Sequence, residues 1–130
     1  MRRWSLADDR GSAPVEFTLV GVLLTVVTLS VLQVALALHV RSTLIDAAAE
    51  GARYAALADS SLAEGVERSR ELIQTALGPG YARDVSVALD ESGEIPIVTV
   101  SVRSPLPLVG LAGLDGTLEV SGRAALEPLR

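Results

Sequence analysis

The residue whose chemistry demands most of its surroundings is Glu16, a carboxylate placed directly before a long apolar run. From Phe17 to Val40, 24 consecutive residues carry no formal charge. A carboxylate at the mouth of such a run is costly unless a cation meets it, or unless it stays at headgroup level and reaches water. Taken alone, the residues leave both options open. Other candidates for chemistry are weaker. His39, the single histidine, stands at the far end of the run and reads as an interface residue rather than a ligand or base. Asp90, Glu91 and Glu94 gather around a turn, where three carboxylates read as solvated side chains rather than a calcium site. The chain has no cysteine, which excludes disulfides, thiolate metal sites and cysteine nucleophiles. No hydroxyl nucleophile has a base at a motif spacing, and the glycines form no phosphate loop. The sequence therefore predicts no catalytic residue, no cofactor, no metal and no small-molecule substrate.

The elements that hold Glu16 follow from hydropathy. At about 1.5 Å per residue, the run from Phe17 to Val40 exceeds the roughly 30 Å hydrocarbon core of a bilayer. A chain of 130 residues cannot bury such a segment on every side, so a single membrane span is predicted. Hydrophobic residues make up 49% of the chain and aromatics 3%, a composition of Ala, Val and Leu that suits close helix packing better than a ligand cavity. Charges balance over residues 1–40, and the whole net charge of −5 falls on residues 41–130, with no lysine anywhere. An acidic soluble part lacks the basic footprint that nucleic acid requires.

The helical period continues past the span. Leu44, Ala48, Gly51 and Ala55 mark one face while Asp46, Glu50 and Arg53 mark another, which carries the first helix to about Ala58. Asp59-Ser60-Ser61 breaks it, and Ser61 with Glu64 forms a capping-box pattern for a second helix. Leu62, Val66, Ser69, Ile73 and Leu77 form the stripe of that helix, Glu64 and Arg68 are placed to pair on its other side, and Gly78-Pro79-Gly80 ends it. The period then becomes two. Val85, Val87 and Leu89, then Val98, Val100 and Val102, then Leu118, Val120 and Ala124 predict three strands with one apolar face, covered by the second helix. Residues 104–116 form an apolar loop, either a lid on the core or a contact surface. The predicted fold is α+β: a long transmembrane helix continuing into an amphipathic helix, a second helix and a small antiparallel three-stranded sheet. The expected organisation is a leader over 1–11, the long helix over 12–58 and a small head over 59–130.

The segment Arg10-Gly11-Ser12-Ala13-Pro14-Val15-Glu16-Phe17 resembles the processing site of type IV pilin-like proteins. In those proteins a prepilin peptidase cuts after a Gly and leaves a Glu as the fifth mature residue. Here that cut falls between Gly11 and Ser12, and the fifth residue is Glu16. The following Phe17 fits the Glu-Phe or Glu-Tyr pattern of the Flp pilin and TadE groups. Pro14 departs from the small or aliphatic residue expected at its position; it discourages helix on its N-terminal side, which predicts an extended, accessible Gly11-Ser12 bond. Ala47 to Ala56, with Glu50, Gly51, Ala52, Arg53 and Tyr54 at its centre, is similar to the Ala-rich stretch that follows the span in TadE-like proteins. The resemblance is to the TadE-like family, over residues 10–58, and extends to the rest only as an architecture. It implies a pilin-like minor pilin or pseudopilin of the tight-adherence, or Flp, pilus system, with no enzymatic activity. It also implies that the Glu16 carboxylate meets the Ser12 amine of a neighbouring subunit. Implied partners are membrane lipid, a prepilin peptidase, other pilin-like subunits and the pilus assembly membrane proteins.

Within the span, Thr18, Gly21, Thr25 and Thr28 recur at spacings of three and four, which either marks a helix-packing stripe or reflects chance in an Ala- and Val-rich segment. Arginines flank both ends of the span, so the expectation of an N-terminus inside and a head outside the bacterial cytoplasmic membrane rests mainly on the head's reading as an exported domain. Two rival readings remain. Ala35-Leu36-Ala37 fits a signal-peptide cleavage pattern, which would release a soluble binding protein, although the apolar run is much longer than such a peptide needs. The third is an uncleaved single-pass anchor with an external interaction domain.

Overall fold

In the computed structural model, residues 9–107 and 116–128 are described, with side chains from Gly11 onward. Most of the expected leader, residues 1–8, lies outside that set, as do Leu108, Val109, Leu111 and Leu114 of the expected apolar loop. The elements are helix α1 (Asp9–Ala55), helix α2 (Leu62–Leu77), a 3-10 turn (Pro79–Tyr81) and strands β1 (Asp84–Asp90), β2 (Ile97–Pro105) and β3 (Thr117–Ala125). Contacts divide the chain into two compact units, Met1–Ala35 and Leu36–Arg130. The second unit is the head.

In the first unit, every described side chain of α1 except Gln33 is exposed, with Phe17 82% and Leu19 63% accessible. The helix is long and apolar enough to cross a membrane. It includes Gly11 and Ser12, with Pro14 inside it. This corrects the extended Gly11-Ser12 bond expected from Pro14. The proline ring holds a helical φ and removes only one N–H, a loss that is small near a helix start, where the carbonyl four residues back is close to the fraying end.

The head is built on the lower half of α1. Val40, Leu44, Ala47, Ala48 and Ala52 are buried with Ile73 of α2 and Val100, Val102 and Val120 of the sheet. Ala55 and Ala56 join Val98 in an adjoining cluster. The face predicted from Leu44, Ala48, Gly51 and Ala55 is thus the buried one. The sequence assigned the cover of the sheet to α2, but α1 shares it. Gly122 explains why. A methyl group on Gly122 would fall on the backbone of Ala49 and lie 2.5 Å from the carbonyl carbon of Ala48. Strand β3 and helix α1 therefore meet backbone to backbone, a separation that only glycine permits.

Helix α2 starts with the predicted capping box. The Ser61 N–H donates to Glu64 Oε2 at 2.6 Å, and the Glu64 N–H donates to Ser61 Oγ at 3.2 Å. The expected Glu64–Arg68 pair is not formed, because the Glu64 carboxylate is engaged at the cap; Arg68 turns instead to Glu71 at 3.5 Å. The buried residues of α2 are Gly65, Ser69 and Ile73.

The sheet has the order β1-β2-β3 with both pairs antiparallel. Along β2, Val98, Val100, Val102 and Ser104 all point inward. Ser104 continues the inward set, so the strand reaches Pro105 and the loop begins later than expected from its sequence; a polar residue in the fourth inward position hid the alternation. The ladder extends one step beyond, where the Leu106 N–H donates to the Gly116 carbonyl at 3.0 Å. At the opposite end, the Leu126 N–H reaches the Pro96 carbonyl at 2.8 Å and the Glu127 N–H reaches the Ala56 carbonyl at 2.9 Å. The chain after β3 thus satisfies an otherwise orphaned carbonyl just beyond the end of α1.

A fragment beginning at Leu38 keeps every buried residue among those described and is expected to fold. In that fragment, Gly122→Ala should lower stability by about 1–3 kcal/mol through overpacking. The shift in urea midpoint, compared with the exposed Ser121→Ala, measures it.

Candidate functional site

The residues singled out for function fall in two groups, both on α1. The first lies near its start. Gly11, Ser12, Glu16 and Phe17 all occupy helical, exposed positions. Glu16 is one helical turn beyond Ser12, so within one chain the two lie on the same side of the helix. The stripe follows from the same geometry. Thr18 Oγ donates to the Pro14 carbonyl at 2.8 Å, Thr25 to Gly21 at 2.8 Å and Thr28 to Leu24 at 2.7 Å. Their protons are used within the helix, so the stripe offers another helix small size and acceptor lone pairs rather than free donors.

The second group is Glu50 to Tyr54, and the structure separates its members. Gly51 and Ala52 are buried, Glu50 is half-buried, and Arg53 and Tyr54 are exposed. Gly51 faces Gly65 of α2. A methyl on Gly51 would lie 2.6 Å from the Gly65 carbonyl oxygen and overlap the Ser69 hydroxyl; one on Gly65 would lie 2.6 Å from the Gly51 carbonyl oxygen and overlap Ala55. One turn away, Ser69 Oγ donates to the Ala47 carbonyl at 2.9 Å. The pairs Gly51–Gly65 and Ala47–Ser69 show the two helices running antiparallel at very short range. Glu50 and Arg53 form an exposed ion pair at 4.0 Å. Such a pair is worth little. The chemistry of this stretch is therefore split: its small residues let α2 and the sheet close on α1, and its polar residues face outward.

The acidic turn is organised by its own residues. Asp90 accepts from the Ser92 N–H at 3.0 Å and from Ser92 Oγ at 2.6 Å. These bonds hold the Asp90 carboxyl below the usual aspartate range, the side-chain bond being the larger cause. Among the described residues, no group of three or more His, Cys, Asp or Glu is placed to hold a metal ion.

Sequence reasoning missed Gly65 and Gly122. Each is a single glycine inside a regular element, and that break in propensity was the available signal.

A long apolar N-terminal helix leading into a second helix and a three-stranded antiparallel sheet is an α+β, pilin-like arrangement. Residues 11–53 match the family described as TadE-like protein. The match covers Gly11, Glu16 and the motif from Glu50 to Arg53, all within α1, and stops before α2. No curated protein and no solved structure gives a significant match to the chain.

Two outcomes follow. Gly51→Ala should destabilise the head by about 1–3 kcal/mol, whereas Arg53→Ala should stay within about 0.5 kcal/mol, both read by chemical denaturation. Ser92→Ala should raise the carboxyl pKa of Asp90 toward the ordinary aspartate value in an NMR titration. Because the folded pKa is depressed, the contribution of Asp90 to stability is present above its unfolded pKa and is lost as pH falls through the folded one.

Proposed function

We propose that this protein is a non-enzymatic minor pilin or pseudopilin-like component of a tight-adherence pilus assembly system. It is processed between Gly11 and Ser12 and assembles through its N-terminal helix. The observation that carries this reading is the family match over 11–53, which falls on one helix that has Gly11 and Glu16 at its start and a folded head at its end. The helix anchors the chain in the bacterial cytoplasmic membrane, with the N-terminus inside and the head outside.

Cleavage after Gly11 creates a free amine on Ser12. In the low dielectric of a helix bundle, that amine on one subunit and the Glu16 carboxylate on the next attract strongly, and either charge left alone is penalised. Processing thereby licenses assembly, and the pair sets the register between subunits. Phe17 adds an apolar anchor beside it. The partners are lipid, the prepilin peptidase, related pilin-like subunits and the membrane proteins of the assembly machinery.

The division of the chain at Ala35 favours one alternative enough to state it. Since the first buried residue of the head is Val40, a signal peptidase cut after Ala37 would leave the head whole, as a soluble exported protein.

Sequencing the mature N-terminus separates the readings. Ser12 is the expected result; Leu38 would indicate secretion and Met1 a plain anchor. A Glu16→Ala variant should be cleaved normally yet fail to support pilus formation. Unchanged piliation in that variant would remove the charge-pair role.

A further inference from the structure

The two ends of the head differ in charge. Gly122 lies against Ala48 and Ala49, and Glu127 reaches Ala56, so α1 and β3 run in the same direction. The strand register then brings Asp84, Arg103 and Glu119 side by side at the end where residues 36–40 join the head. Arg41 stands at that end of α1, and Arg83 immediately precedes β1 there. The opposite end gathers Asp59, Glu64, Asp90, Glu91, Glu94 and Glu127, with Arg123 among them.

Ion pairing sorts the arginines. Arg53, Arg68, Arg70 and Arg103 each lie within 4.0 Å of a carboxylate. Arg41, Arg83 and Arg123 are exposed and form no ion pair among the described residues, and of these Arg123 stands at the acidic end. Between Arg41 and Arg83 in the chain lies Tyr81, half-buried in the turn at the end of α2. Two guanidinium groups without an ion pair, one of them two residues after an amphipathic ring and both on the end that continues into an apolar helix, make a surface suited to lipid headgroups.

We propose that Arg41 and Arg83 bind the phosphates of anionic phospholipids and so seat the lower end of the head on the membrane surface. The proposal rests on the membrane-anchored reading above. A guanidinium fork donates two parallel hydrogen bonds to a phosphate, and the anchor keeps both arginines at high effective concentration near the headgroups. Among the described residues Asp84 is the carboxylate at this end that lacks an ion pair, while the acidic far end is repelled from an anionic surface.

The test uses the full chain, which has no native cysteine, with a spin label on Gly80→Cys in the turn beside Tyr81, where an added side chain meets open space. The chain is placed in nanodiscs that contain a trace of nickel-chelating lipid. In discs rich in phosphatidylglycerol the label should be strongly relaxed by the headgroup nickel. The contact should fall in pure phosphatidylcholine discs and in high salt, which screens exposed charges within a few ångströms. Each arginine should contribute about fivefold to the seated population, so the double variant R41Q/R83Q should lose about 25-fold, while R123Q, with the same loss of charge at the other end, should change nothing. Equal relaxation in all discs and variants would overturn the proposal. A chain that is not retained in discs at all would instead overturn the anchored reading, and this inference with it.

Discussion

The backbone-to-backbone contact of α1 with its neighbours is the constraint on which the head depends. Gly51 meets Gly65 on one side and Gly122 meets Ala48 and Ala49 on the other. With aromatics at 3% of the chain, large rings are scarce, and Tyr81 packs only at the edge of the core. The remaining route to native packing density is to bring elements close, which requires small residues on the facing surfaces. Ala47, Ala48, Ala52 and Ala55 supply them on α1, Gly65 and Ser69 on α2, and Gly122 on β3. Each small residue contributes little apolar area by itself. Together they bring Leu44, Ile73 and the inward valines of β2 into one core.

This constraint gives α1 two different tasks along its length. Up to Ala35 every described side chain except Gln33 is exposed, and apolar residues surround the helix on all sides. From Val40 onward the same helix has one buried face and one polar face. The change of pattern coincides with the division of the chain into two units. The family match covers both tasks, running from Gly11 to Arg53.

Polar groups follow the same economy. Ser69 spends its proton on the Ala47 carbonyl at the close crossing, and the threonines of the span spend theirs on carbonyls one turn back. Glu64 closes the start of α2, and the backbone of Glu127 satisfies the carbonyl of Ala56 just beyond the end of α1. Most of the remaining charges lie on the surface, some of them in pairs such as Glu67–Arg70 and Arg103–Glu119. Exposed pairs of this kind govern solubility and partner choice more than stability.

Much of this was legible from the chain alone, for identifiable reasons. Hydropathy and length determined the long apolar helix through Phe17 to Val40, which is long and apolar enough to cross a membrane. Period determined the element types: 3.6 for the face of Leu44, Ala48 and Ala55, and two for Val98, Val100 and Val102. Local hydrogen bonding determined the cap at Ser61 and Glu64. All of these are short-range properties, decided within a few residues. What only the tertiary structure decided was contact between distant segments: that α1 rather than α2 alone covers the sheet, that Gly51 serves a helix crossing, and that Gly122 lies on the backbone of Ala49. A glycine in a sequence records the absence of a side chain. Only the fold shows which backbone occupies the space it leaves.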